Sequence, residues 1–260
     1  MAIVPDGEKG TRSRIEMRLL ISAGPTREPL DPVRFLSNES TGYMGAQLAA
    51  EALARGHRVT IVSGPGTEPM PRGARVVAVR DTRELEAAMR RLAGGADAVV
   101  MAAAVADFRM SRPRTSKLRR QARLTLRLVA TPDIIARLPR QARQVRAGFA
   151  LESGPVVPAA ARKLRAKRLD LLVAQSIRPG SGLRPERSRR TQRVNGAGSP
   201  FGRRPVRAWL LSRRPGAQAP EVRSLGTVAK ARVARVLLDK VEELWYGQRR
   251  PHEADHVANT

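Results

Sequence analysis

Residues 19–45 read LLISAGPTREPLDPVRFLSNESTGYMG. The apolar run at 19–21 suits a buried strand over about 18–23, and Gly24-Pro25-Thr26 stops it, because proline cannot donate to a sheet ladder. A polar loop over 24–41 follows, carrying Pro29, Pro32, Arg27, Arg34 and Asn38. Ser40-Thr41-Gly42 then opens a helix over about 42–55 that is rich in small residues and ends at Gly56, a residue type favoured just past a helix C-terminus. A strand, a rigid polar loop and a small-residue helix start place unpaired backbone N–H groups where phosphate or carboxylate is attracted.

The rest of the chain supplies walls for this loop. Residues 58–62 and 76–79 read as strands, and a helix runs from a cap at Asp81 or Thr82 to about Leu92. The segment DAVVMAAA at 97–104 is an apolar strand with small residues at its far end. This alternation predicts an α/β fold with a doubly wound, mostly parallel Rossmann-like sheet, whose ligands bind at the carboxyl ends of the strands. Residues 105–121 break the pattern and read as a polar, basic flap. Leu124, Leu126 and Leu128 alternate as a half-buried strand. Thr131 suits a helix cap with Pro132 at the first helical position. Strands at 145–150 and 170–174 flank a helix at 158–168. Strands at 206–211 and 222–225 make a small antiparallel extension, and a helix at 227–246 shows apolar spacing on one face. The organisation expected is a flexible arm at 1–16, one domain over 17–247 with the flap and a basic flexible loop at 178–204, and a flexible tail at 248–260.

Composition narrows the class. The chain has 260 residues with 42% apolar content, enough for one large core. It has no cysteine, which excludes disulfides and thiolate metal sites. His57, His252 and His256 are too scattered for a convincing zinc site. No apolar run approaches the ~20 residues of a membrane span, and the first residues do not read as a secretory signal, so a cytoplasmic protein with no membrane partner is expected. The net charge is +26, with 43 arginines to 6 lysines. Such an excess favours polyanions, although an arginine-rich translation of a GC-rich genome explains it equally. Aromatics are 3%, too few for a base-stacking platform, and no helix-turn-helix or RNP-like pattern is present. Contact with nucleic acid is therefore expected to be nonspecific at most.

Candidate chemistry sits at the strand ends. Asp107 follows the 97–104 strand, where a carboxylate suits a magnesium-bound nucleotide or a ribose hydroxyl; a turn aspartate is the plainer reading. Asn38 is able to donate to a developing oxyanion. Lysine is a compact, mobile point charge where arginine is a planar fork. In so arginine-rich a chain Lys117 in the flap, and Lys163 and Lys167 four apart on one helix, therefore stand out. Those two suit phosphate contacts or a solvated helix face.

The segments AGPTREPLDPVRFLSNESTGYMG (23–45), VTIVSGP (59–65), DAVVMAAAVADFR (97–109), SKLRR (116–120), TPDII (131–135), GFALES (148–153) and KLRAKRLDLLVA (163–174), taken in this order and spacing, resemble the phosphopantothenate–cysteine ligases, or phosphopantothenoylcysteine synthetases, of the bacterial CTP-using type. The resemblance implies a two-step reaction of coenzyme A biosynthesis. The carboxylate of 4′-phosphopantothenate attacks the α-phosphorus of CTP to give an acyl-cytidylate and pyrophosphate. The amine of L-cysteine then displaces CMP. It also implies Mg²⁺ held through nucleotide phosphates rather than by a protein metal site, a homodimer, and a separate decarboxylase in the same pathway. The short stretch before the first strand leaves no room for the flavin-dependent half of fused relatives, so no flavin is expected.

Carried over residue by residue, the resemblance makes Asn38 and Lys117 catalytic and assigns Arg34, Asn38, Gly42 and Gly45 to the acyl substrate. It assigns Met101, Ala102, Ala103, Asp107, Lys117, Pro132, Asp133, Ile134, Ile135, Phe149, Lys163 and Lys167 to the nucleotide. The sequence departs from the family pattern at Pro25, where a second glycine is usual, and at Leu151, Ser153 and Gln175. These positions bear on substrate affinity and on CTP against ATP. Two other readings compete. A Rossmann-type dinucleotide-dependent oxidoreductase would need a GxGxxG turn after the first strand, and none is there. A nonenzymatic basic nucleic-acid-binding protein explains the charge but not the ordered motifs.

Overall fold

The computed structural model describes residues 16–177, 201–214 and 216–249. Nearly all of the expected arm, most of the expected basic loop and nearly all of the tail lie outside the described residues. Eight strands form one sheet in the order β12-β11-β10-β9-β6-β1-β4-β5. They are β1 (Arg18–Ala23), β4 (Arg58–Ser63), β5 (Arg75–Ala78), β6 (Ala98–Met101), β9 (Val145–Glu152), β10 (Leu171–Ser176), β11 (Val206–Ser212) and β12 (Glu221–Val228). The first six in sequence are parallel, and β11 and β12 add antiparallel at one edge. The α/β sheet with an antiparallel extension is the fold class expected from the sequence.

Apolar residues run continuously along the central strands because both faces of the sheet are covered. Leu19, Ile21 and Ala23 of β1 join one core with the helices α1 (Tyr43–Ala54) and α5 (Lys230–Gly247), whereas Leu20 joins the other. That second core includes α2 (Thr82–Ala93), the short α3 (Ile134–Arg137) and α4 (Val156–Ala166). The strand period of two thus assigns alternate residues to opposite helix layers. Asp81 is the cap of α2: its carboxylate accepts from the Glu84 amide at 3.0 Å, while Glu84 accepts from the Arg80 amide at 2.7 Å. This reciprocal arrangement resembles a capping box.

Four sequence expectations are corrected. The loop at 24–41 contains an antiparallel hairpin, β2 (Arg27–Pro29) with β3 (Phe35–Ser37), whose tip holds Pro32. Residues 124–127 are not a strand; only β8 (Leu128–Ala130) is, paired with β7 (Phe108–Met110), and Leu124, beyond the end of that two-stranded ladder, is exposed. Thr131 is not a helix cap and Pro132 is not helical. Asp133 is the cap, its carboxylate accepting from the Ala136 amide at 3.4 Å, and α3 ends after four residues before Pro139. The last helix starts at Lys230 rather than 227, because Thr227 and Val228 remain in β12.

Gly45 shows how closely α1 approaches β1. A Cβ added there would stand 2.4 Å from Ala23 Cβ and 3.1 Å from Ala23 Cα. Neither atom belongs to a flexible side chain, so the helix itself must move. Gly45→Ala is expected to lower unfolding free energy by about 1–3 kcal/mol, the usual cost of overpacking, as measured by urea denaturation. An unchanged midpoint would show that α1 is free to shift.

Candidate active site

The strand order reverses between β1 and β6: β4 and β5 lie on one side of β1, while β6, β9 and β10 lie on the other. The carboxyl ends of β1 and β6 therefore bound a crevice, the usual ligand position in such sheets. The two chains stay paired past their strand ends. The Ala104 amide donates to Gly24 O at 2.9 Å, and the Thr26 amide donates to Ala104 O at 3.3 Å. Neither bond uses the nitrogen of residue 25, so Pro25 fits a position where glycine is usual and forms the bridge to Ala104. Side chains reinforce the junction. Ser22 Oγ accepts from the Ala103 amide at 3.1 Å, and Thr26 Oγ1 accepts from the Ala106 amide at 3.0 Å. Gly24 has φ +75° and lies so close to Gly64 that a Cβ would meet Gly64 O at 2.8 Å.

Over this junction opens a cavity of about 730 Å³. Its lining includes Asn38, Met101, Ala102, Ala103, Asp107, Pro132, Asp133, Ile134, Ile135, Phe149, Lys163 and Lys167, so segments far apart in sequence converge. Asn38 Nδ2 donates to Ala104 O and Val105 O, both at 3.1 Å. Both amide hydrogens are thereby used. The oxygen Oδ1, an acceptor, is what Asn38 offers a ligand in this conformation, in contrast to the oxyanion donor expected from the sequence. Lys163 pairs with Glu152 at 2.6 Å and Lys167 with Asp133 at 3.1 Å. Each ammonium is held at the wall by a carboxylate with which an incoming phosphate would compete. Arg146, buried in β9, donates to the carbonyls of Leu138 and Pro139 and fixes the turn after α3.

Four expected site residues are placed elsewhere. Gly42 is the N-cap of α1 with φ +88°, stacked on Gly24, and Gly45 is buried against Ala23; both shape the wall without lining it. Arg34 and Lys117 lie outside the cavity lining as well. Arg34 Nη2 donates to Leu118 O at 3.2 Å and its guanidinium stands 3.6 Å from Asp31. Asp31 accepts from the amides of Val33 and Arg34, both at 2.8 Å, and of Leu118 at 3.0 Å. Burial alone would raise the Asp31 pKa; these three N–H donors and the Arg34 charge outweigh it and hold the carboxyl below its ordinary range. The pair is a clamp that ties the flap, beside the exposed Lys117, to the β2–β3 hairpin.

The sequence reading missed other lining residues. Ser40, Thr41, Tyr43, Phe201, Gly202 and Lys230 also face the cavity. The scarcity of lysine was a signal for Lys230, had it been applied to all six. Lys230 is buried, donates to Gly202 O at 2.8 Å, and its amine is pushed down to about 8 by burial. Among the described residues there is no group of three or more histidine, aspartate or glutamate side chains placed to hold a metal, and no helix is long and apolar enough to cross a membrane.

A parallel sheet with a large cavity at its switch point defines the class as a doubly wound α/β domain of ligand-binding architecture. Within that class, the chain belongs to the family described as DNA/pantothenate metabolism flavoprotein C-terminal domain, whose model matches residues 15–244. The bifunctional coenzyme A biosynthesis protein CoaBC of Escherichia coli is 40% identical over 167 residues, covering 62% of this chain and 41% of that protein. The crystal structure of the C-terminal domain of a CoaBC protein superposes with a TM-score of 0.66 at 28% identity, covering 89% of this chain and 96% of that one. A Cab2 variant solved in complex with phosphopantothenate-cysteine superposes with a TM-score of 0.62 at 16% identity, over 89% of this chain and 88% of that one, a likeness of fold alone. The chain spans 40–50% of the length of the first curated relatives it matches, one of which is named as a cysteine/cysteine sulfinic acid decarboxylase.

The Asp31–Arg34 clamp is testable by proteolysis. Asp31→Asn is expected to speed trypsin cleavage within 112–123 severalfold while the rest of the domain stays resistant, read by mass spectrometry of timed digests. An unchanged cleavage rate would show that the flap is held by other contacts.

Proposed function

We propose that the chain is a phosphopantothenate–cysteine ligase that uses a nucleoside triphosphate, CTP by resemblance, and acts in coenzyme A biosynthesis. The observation that carries this reading is the convergence of Asn38, 101–105, Asp107, 131–135, Phe149, Lys163 and Lys167 on one cavity at the switch point. Membership of the family and the 40% identity to a coenzyme A biosynthesis protein support it.

A carboxylate is a poor acyl donor until a leaving group is attached, and the mixed anhydride must be kept from water. Lys163 and Lys167 exchange their carboxylate partners for nucleotide phosphates, and Asp133 and Glu152 return them when the products leave. Phe149 and the 132–135 turn form an apolar wall for the base. Mg²⁺ would neutralise charge on the triphosphate when bound, with Asp107 as the wall carboxylate suited to take one place in its shell. Asn38 keeps the 104–105 carbonyls fixed and presents Oδ1 to accept from the incoming cysteine amine.

The protein is also proposed to act as a homodimer. Phe35, Val33, Phe108, Leu124 and Leu128 are exposed apolar side chains on or beside the adjacent β2–β3 and β7–β8 hairpins. Such clustering marks association surfaces. A partner there would meet the flap and bring Arg34 and Lys117 towards a shared site.

Purified protein incubated with 4′-phosphopantothenate, L-cysteine, Mg²⁺ and either CTP or ATP is expected to release pyrophosphate, faster with CTP. No release with either nucleotide would overturn the ligase reading. Asn38→Ala is expected to slow cysteine-dependent turnover by roughly tenfold or more, the scale of a lost hydrogen bond to a charged group, while intermediate formation falls less. Equal loss in both steps would refute the amine-facing role. The double substitution of Phe35→Asp and Phe108→Asp is expected to shift the protein from dimer to monomer in sedimentation velocity; an unshifted dimer would place the interface elsewhere.

A further inference from the structure

Two helices begin at the same end of the cavity. Strand β12 runs in the same sense as the parallel strands, because it is antiparallel to β11, which is antiparallel to β10. Its return therefore delivers α5 to the carboxyl edge, on the face shared with α1. Lys230, the first residue of α5, is 5% exposed and lines the cavity. The 201–203 segment links it to the start of α1. Gly202 O accepts from Lys230 Nζ, while Arg203 lies 5.4 Å over the Tyr43 ring and pairs with Glu68 at 2.9 Å. Glu68 in turn donates its amide to Thr41 O at 2.9 Å.

The donors at this end suit one kind of ligand. Ser40 Oγ accepts from the Gly42 amide at 3.4 Å and Thr41 Oγ1 from the Tyr43 amide at 3.3 Å. Each hydroxyl accepts one backbone bond through one of its lone pairs and has its hydrogen to give an acceptor in the cavity. A buried ammonium and two hydroxyl donors at the start of a twelve-residue helix make an anion site, and the helix dipole adds to it. Residue type points the same way. Three of the chain's 6 lysines line the cavity, and among the described residues none of its 43 arginines does. Lys163 and Lys167 lie on the opposite layer with carboxylate partners, so Lys230 serves a separate end of the cavity.

We propose that Lys230 is a phosphate-binding residue of this site, holding a phosphate group of one reactant at the end bounded by α1, α5 and Gly202. The inference rests on the ligase reading for the identity of the reactants: the phosphate monoester of the acyl substrate or the polyphosphate tail of the nucleotide. Lys230→Met is expected to raise KM for one of them by about 10- to 100-fold, the range for a lost hydrogen bond to a charged group, and to leave the other KM values within about twofold. Lys230→Arg is expected to restore most of the loss. A rise for 4′-phosphopantothenate, absent when unphosphorylated pantothenate is the substrate, places the monoester at Lys230; a rise for CTP places the polyphosphate there. Unchanged KM values for both, or an equal loss of kcat in the Met and Arg variants without a KM change, would make Lys230 a strut for Gly202 and overturn the proposal.

A second readout separates this from the ligase reading. Pyrophosphate and inorganic phosphate are expected to raise the Tm of the wild-type protein clearly more than that of Lys230→Met, which keeps Lys163 and Lys167, whether or not the wild type turns over; equal rises would count against the assignment. Lysine-selective NMR of the wild-type protein covers the case of an unstable variant. The lysine signal titrating near pH 8 is expected to move when pyrophosphate is added, and a stationary signal would refute the assignment.

Discussion

Everything in the site hangs on the backbone exchange between residues 24–26 and 104–106. Two parallel strands that part at a switch point would ordinarily splay, and the crevice between them would be floored by unpaired amides. Here the pairing resumes past the strand ends, two residues beyond β1 and three beyond β6, through Gly24 O, the Thr26 amide and Ala104. The hydroxyls of Ser22 and Thr26 take the next amides on the β6 side. Four amides at the cavity floor, those of Thr26, Ala103, Ala104 and Ala106, are thus paired within the junction. That pairing lets small residues, Ala102 and Ala103, line the floor without losing definition. It also explains why Asn38 can spend its donors on carbonyls: its task is to pin the rim.

Much of this was legible in the sequence. The runs at 19–23 and 97–104, with small residues at their ends, gave the sheet and the position of the crevice. The motif order gave most of the cavity wall. What was not legible depended on partners distant in sequence. The alternation of Leu124, Leu126 and Leu128 mimics a half-buried strand, yet only Leu128 pairs with β7, and Leu124 lies beyond that ladder, exposed. The β2–β3 hairpin is masked by Pro29 and Pro32, which read as loop. Arg34 reads as a substrate residue until Asp31 and Leu118 are seen to hold it. Lys230 was hidden because a lysine at the start of an amphipathic helix is ordinarily solvated; its burial comes from the 201–203 segment and the antiparallel edge of the sheet.

The charge distribution divides by residue type. Arginine acts as a planar brace: Arg34 on the flap, Arg146 on the turn after α3, Arg203 across Tyr43 and Glu68, and Arg55 among Glu51, Asp239 and Glu242 at the α1–α5 seam. Burial alone would lower the pKa of Arg55, but its three carboxylate partners outweigh that and raise it. The cations that line the cavity are lysines, three of the chain's 6, where a charge on a flexible stem can follow a ligand through a reaction. An overall excess of +26 therefore says little about the chemistry. The informative fact is which few cations face inward.

The antiparallel edge carries a register shift between Ala208 and Trp209, opposite Gly226 with φ +70°. From that point the chain runs without another break into Lys230. The length of β12 consequently sets where the amine falls along the cavity wall, since each added residue advances the strand by about 3.3 Å and turns the next side chain to the other face. Ser212 and Glu221, the facing ends of β11 and β12, lie at the opposite edge of the sheet from the cavity. A change of length at that far edge is therefore expected to disturb the site less than one in the stretch from Gly226 to Lys230, which acts as a fixed gauge between fold and site.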